Sequence, residues 1–228
     1  MSIRRVTQSA AQAGLAFAAL SLASLGHAGP ISFSSVGDSA TLDFQGLVDI
    51  DGVTTSVPQL TASATFQLTG FSASSYVFDV SISNTTGDIF QQAELASIGF
   101  DVDPGIIGAS TDGEWTATTD VNFPVGHGFV DVCAFITQNC LGGGSALEQG
   151  ENSMFNLTLA FDALPDSVTL DNFAVRWFRL TSDALGLDGD SGIGGPVAVP
   201  EPSPLALLAL GLLGMGLLAR RRKAGLSA

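Results

Sequence analysis

Positive charge is what this chain has least of. Only eight of its 228 residues are Lys or Arg, and lysine occurs once, at Lys223. Six of the eight lie near the ends (Arg4, Arg5, Arg220, Arg221, Arg222 and Lys223), so residues 29–199 hold just Arg176 and Arg179. Against 21 of the 22 acids, those two arginines leave this body at −19. Such a surface repels phosphates and anionic lipid heads, which argues against nucleic acid as a partner and against direct membrane binding by the body. Charge of one sign also raises the question of disorder. The body contains most of the fifteen phenylalanines, both tryptophans and repeated β-branched runs. Apolar burial can therefore offset chain entropy, and a folded domain is expected.

Reactive side chains are equally scarce. His127 is the one histidine of the body, set between Gly126 and Gly128. Nucleophile–base catalysis needs a base with an orienting partner, and no Ser or Cys motif accompanies it. Among 21 carboxylates no pair is singled out for acid–base work. No catalytic residue and no enzyme activity is expected. The two cysteines, Cys133 and Cys140, have six residues between them. A structural metal site would need further ligands that the sequence does not supply, so the pair reads as a disulfide worth roughly 2.5 kcal/mol by loop closure.

Both ends carry handling signals. Arg4 and Arg5, the apolar stretch Ala10 to Leu25 and the small-x-small site Gly26-His27-Ala28 form a signal peptide over 1–28, cut after Ala28. At the other end, Val199, Pro200, Glu201 and Pro202 lead into the apolar run Leu205 to Ala219, which stops at Arg220, Arg221, Arg222 and Lys223. The prolines keep the approach extended. Fifteen residues make a helix only about 22 Å long, against about 30 Å for a bilayer core. The four cations hold their end in the cytoplasm as a stop, so the chain between the two ends lies outside the cytoplasmic membrane.

This combination of signal peptide, acidic body, Val199-Pro200-Glu201-Pro202, short apolar helix and Arg cluster resembles the PEP-CTERM proteins. The resemblance implies recognition by an exosortase, a membrane-embedded cysteine transpeptidase-like enzyme, at the motif carried by Pro200, Glu201 and Pro202. It also implies export across the inner membrane of a Gram-negative bacterium that makes exopolysaccharide. The destination is then the cell surface or extracellular matrix, with extracellular polysaccharide as a partner and biofilm as the setting. The membrane is a partner only through the C-terminal helix, before processing. Within the body, Asp131-Val132-Cys133, Asn139-Cys140, the run Gly142 to Gly144 and Asn172-Phe173-Ala174-Val175-Arg176 resemble the cistern subgroup.

The body itself repeats strand and turn with almost no helical period. Ala64, Phe66 and Leu68, then Tyr76, Phe78, Val80 and Ile82, alternate with polar neighbours around Ser72 to Ser75 and predict a hairpin. Further strands are expected at Thr41 to Val48, Leu95 to Val102, Trp115 to Val121, Gly128 to Phe135, Phe155 to Phe161, and Val168 to Trp177 with a bulge at Asp171-Asn172. Ile89 to Ala96 is the single stretch read as a helical turn or two. The expected fold is all-β, an antiparallel β-sandwich of jelly-roll type over 29–181, with a signal peptide before it and a single anchor helix after it. A flexible Gly/Asp-rich linker over 182–199 follows, then the sorting and anchor segment 200–223 and a cytoplasmic tail 224–228.

Two ligand readings arise from single features. Asp49-x-Asp51-Gly52, Asp101-x-Asp103 and Asp188-x-Asp190 place carboxylates in turns where calcium could bind, although none completes an EF-hand loop and no resident metal or cofactor is expected. Trp115, after Asp112-Gly113-Glu114, either packs in the core or offers a flat face to a sugar ring. Matrix protein and carbohydrate-binding module are thus the two functional expectations.

Overall fold

The structure is a computed structural model that describes residues 29–124 and 126–197. The signal peptide with Ala28, the motif Val199, Pro200, Glu201 and Pro202, the anchor helix, the stop Arg220, Arg221, Arg222 and Lys223, and the tail 224–228 lie outside the described residues.

Eleven strands follow one another: β1 (Ile31–Phe33), β2 (Ser39–Ile50), β3 (Val53–Phe71), β4 (Ser75–Asn84), β5 (Gln92–Asp103), β6 (Gly108–Thr111), β7 (Thr116–Phe123), β8 (Gly128–Phe135), β9 (Asn152–Ala160), β10 (Val168–Ser182) and β11 (Leu187–Pro196). Alternation makes the hairpin expected from the sequence. Ala64, Phe66 and Leu68 of β3 sit opposite Ile82, Val80 and Phe78 of β4, all buried. The bulge at Asp171–Asn172 is also present, with the β5 register slipping between Asp171 and Ala174 and Asn172 at φ 49°.

The strands form a single antiparallel sheet in the order β6-β9-β4-β3-β2-β11-β10-β5-β8-β7, with β1 paired to β10 as well. Laid flat, ten strands would put the two ends of that path about 43 Å apart at normal spacing. Yet β6 and β7, the two end strands, are joined by the short link Asp112 to Trp115, whose reach is at most about 18 Å. The sheet must therefore curl, and it does so into a nearly closed barrel. This corrects the expected sandwich: the period-two pattern requires one buried face, which two stacked sheets or one curled sheet provide equally well.

A second correction explains the first. The expected linker is a strand over most of its length. β11 pairs on one side with β10 (Val175↔Gly194, Trp177↔Gly192) and on the other with β2 (Gly192↔Val48, Pro196↔Phe44). Without it, the sheet would fall into two separate halves, which is the sandwich. Its glycines misled because they read as flexibility, whereas here they give up volume to bulky neighbours. A Cβ on Gly194 would lie 2.6 Å from Cζ3 of Trp177, and one on Gly192 would lie 3.0 Å from Leu180 and Leu60. Gly194→Ala should accordingly cost about 1–3 kcal/mol by overpacking. Gly195→Ala, at the next position with nothing within 4 Å, should be near neutral, and urea titration of the two variants checks the contrast.

A third correction concerns Ile89 to Ala96, which is not helical; β5 begins at Gln92. Residues Ala93 to Phe100 are buried on both faces, so the strand shows no alternation to read. Its inner face joins the main core, where Phe66, Phe100 and Phe173 meet with ring centroids 5.5–5.7 Å apart. Trp177 and Asn84 close the far end of that core. The buried Asn84 amide donates to the carbonyls of Ala93 (2.8 Å) and Leu147 (2.9 Å) and accepts from Trp177 Nε1 (3.4 Å), so every polar atom it brings inside is paired.

Candidate functional site

The outer face of β5 is covered by the segment that carries the cysteines. Cys133, on β8, and Cys140 are paired with Cα atoms 6.3 Å apart, within normal disulfide range. Ser97 of β5 donates its hydroxyl to the Cys140 carbonyl at 3.1 Å, which draws the loop down onto the sheet. Beneath it Phe123, Val130, Cys133, Phe135, Cys140 and Ala174 make a second, smaller core. Gly99 permits the close approach, because a Cβ there would meet the Phe123 ring at 2.7 Å.

The two arginines of the body, both on β10, differ in role. Arg179 reaches both carboxylate oxygens of Glu94, at 3.1 and 3.2 Å, and its guanidinium sits 5.0 Å from the Phe178 ring centroid. Arg176 is half-buried next to Gly142 and donates to the Ser191 hydroxyl at 3.3 Å. Burial pushes its pKa down from the usual arginine range, and its buried Nε has no partner among the described residues. Arg179–Glu94 is the single ion pair among the described residues.

The other residues singled out by the sequence do not converge on one site. His127 contacts the Asn172 carbonyl at 3.3 Å and the edge of Phe123, neither of which is a nucleophile. Asp49 accepts from the Gly52 N–H at 2.7 Å, and Asp51 and Gly52 take φ of 54° and 81° as the two-residue turn between β2 and β3. Asp190 accepts from the Asp188 N–H, and Asp101 accepts from Asp131 N–H and the Asn172 amide. These carboxylates work as turn and bulge fasteners. Among the described residues no group of three or more His, Cys, Asp or Glu is arranged to hold a metal ion.

Trp115 is corrected outright as a sugar platform. It is only 3% exposed, its ring is stacked on Phe155 at 4.5 Å, and its Nε1 donates to Ser153 at 3.0 Å. The face that a sugar would need is occupied.

What the structure does bring together is the end of the sheet and the beginning of the tail. Pro196 is still paired with Phe44, and the Val197 N–H donates to the Asp43 carbonyl at 2.7 Å. Residues 198–223, starting immediately after, match the family model described as PEP-CTERM protein-sorting motif. The chain carries a PEP-CTERM sorting motif. That motif implies an exported protein of a Gram-negative bacterium with an exosortase as its processing partner. It covers the tail and stops at the body. No curated protein and no solved structure matches the chain. The sequence had located the motif but not its attachment. The signal for the latter was the apolar residues Leu187 and Ile193 spaced among the glycines.

Proposed function

We propose that the mature body is a non-enzymatic structural or interaction protein of the extracellular polysaccharide matrix, delivered there by exosortase sorting. The observation that carries this reading is the PEP-CTERM motif at 198–223, joined without a spacer to a folded, exported-type domain. The domain's character supports it. A body at −19 without lysine stays soluble outside the cell, and its carboxylates are available on the surface for divalent bridging to acidic polysaccharide. The paired cysteines fit an oxidising compartment. The segments resembling the cistern subgroup lie on β8, at the disulfide loop and along β10, where Cys133, Cys140 and Ala174 enter the second core and Val132, Phe173 and Val175 the main one.

Mass spectrometry of the protein from an exosortase-bearing host tests the reading. The expected species begins near Gly29, ends within the motif, carries the Cys133–Cys140 disulfide and is recovered with the matrix fraction. An intact, uncut chain recovered from the cytoplasm with free thiols would refute it.

A further inference from the structure

The place where the chain leaves the barrel constrains how its tail can be processed. Val197 is fixed to β2 by its bond to Asp43, so Pro200 lies at most about 11 Å further along the chain and Pro202 about 18 Å. β2 itself continues four residues beyond Asp43, from Leu42 back to Ser39, which is about 13 Å of strand. The motif therefore begins no farther out than the rim of the barrel. An enzyme that takes Pro200 to Pro202 into its active site works within about 18 Å of Val197, and so close beside that rim.

Antiparallel order says which loops form the rim. The start of β2, the ends of β1, β3, β5, β7, β9 and β11 and the starts of β4, β6, β8 and β10 all lie at this end. The two phenylalanines exposed among the described residues are both here: Phe71, closing β3, is 51% exposed and Phe129, opening β8, is 72% exposed. Val36 in the β1–β2 loop and Ile107 in the β5–β6 loop join them, at 58% and 64%. The Val36 loop is held in shape by Asp38, whose carboxylate accepts from the N–H groups of Ser34 and Ser35 at 2.8 and 2.9 Å. Exposed apolar side chains on ordered loops beside the motif suit a docking surface. Asp38 and Asp103 lie in or beside the loops of Val36 and Ile107, and Asp162 and Asp166 lie in the β9–β10 loop at the same end, so a partner surface that combines apolar with basic or neutral groups suits this rim.

We infer that this rim, through Val36, Phe71, Ile107 and Phe129, is the seat on which the membrane-embedded sorting enzyme docks when it engages Pro200, Glu201 and Pro202. The inference rests on the sorting function proposed above. It makes the folded body part of what the enzyme recognises, and so favours processing of chains whose barrel has closed.

Photo-crosslinking in the full-length precursor tests it, with benzoylphenylalanine at Phe71 or Phe129 and a catalytically inactive sorting enzyme in the same membrane. Adducts with the enzyme are expected from both positions and not from Val53 or Met154, which are exposed at the opposite end. In parallel, Phe71→Ser with Phe129→Ser should slow cleavage by the active enzyme at least five-fold while the melting temperature stays unchanged. Unaltered cleavage of that variant, or adducts with lipid alone, overturns the inference while leaving sorting intact. Absence of cleavage in the unaltered precursor overturns sorting itself, and the inference with it.

Discussion

A chain that ends at Gly186 is expected not to fold, whereas one that ends at Val197 unfolds in a single cooperative step. The difference is β11. Removing it leaves β10 and β2, now neighbours across this strand, as two open edges. It also uncovers Trp177, Leu60 and Leu180, each fully buried against the β11 glycines. A buried tryptophan removes on the order of 200 Å² from water, which is about 5 kcal/mol at 25 cal/mol/Å². Partial loss at Trp177, with losses at both leucines and in two strand ladders, is comparable to the whole stability of a domain, about 5–15 kcal/mol. Far-UV circular dichroism and urea unfolding of residues 29–186 and 29–197 check the prediction, and a cooperative transition in the shorter chain would sink it. The functional consequence is direct. The strand that unites the barrel is the last of the described strands to be synthesised and stands immediately before the sorting motif. Cleavage inside the motif spares it, whereas cleavage before Leu187 would remove it whole.

The same strand shows where the sequence was legible and where it was not. Wherever one face is wet and the other buried, as at Tyr76, Phe78, Val80 and Ile82, alternation gave the strand, its facing and its hairpin partner. Local chemistry also gave the bulge at Asn172 and the pairing of Cys133 with Cys140. Legibility failed at two kinds of position. The strand over Leu95 to Val102 was legible, but its start was not: β5 is covered on both sides, inside by the main core and outside by the cysteine loop, so the residues from Gln92 carry no period and Ile89 to Ala96 read as helical. β11 is made of residues whose side chains are missing because Trp177 and Leu60 fill the space, so the information that it is a strand sits on β10 and β3. Architecture was not legible either, because alternation fits two stacked sheets and one curled sheet equally, and β11 is the strand that joins the two halves into one. The tail motif needed no three-dimensional context and could be read directly. Its distance from the barrel could not, because that depends on whether the preceding residues are linker or sheet.

Trp115 is the residue singled out for sugar stacking, and its replacement should behave as a fault in the barrel seam. The residue ends the link between β6 and β7, the strands at the two ends of the sheet path. Its ring stacks on Phe155 of β9, its Nε1 binds Ser153 on the same strand, and its carbonyl accepts from Thr111 of β6 at 2.7 Å. The side chain thus fastens the start of β7 to β9 across the place where the sheet nearly closes. Trp115→Ala should cost about 3–5 kcal/mol through lost burial and the cavity left behind. For a domain of this size that lowers the melting temperature on the order of 10 °C. Trp115→Phe keeps the stacking and loses one hydrogen bond, which limits the cost to about 1–2 kcal/mol. Affinity electrophoresis through acidic polysaccharide separates this role from sugar stacking. At a temperature where all three proteins are folded, the Ala and Phe variants should migrate as the unaltered body does. Selective loss of retardation in Trp115→Ala, with thermal stability unchanged, is the result that a sugar-binding face requires and that the stacked, buried ring forbids.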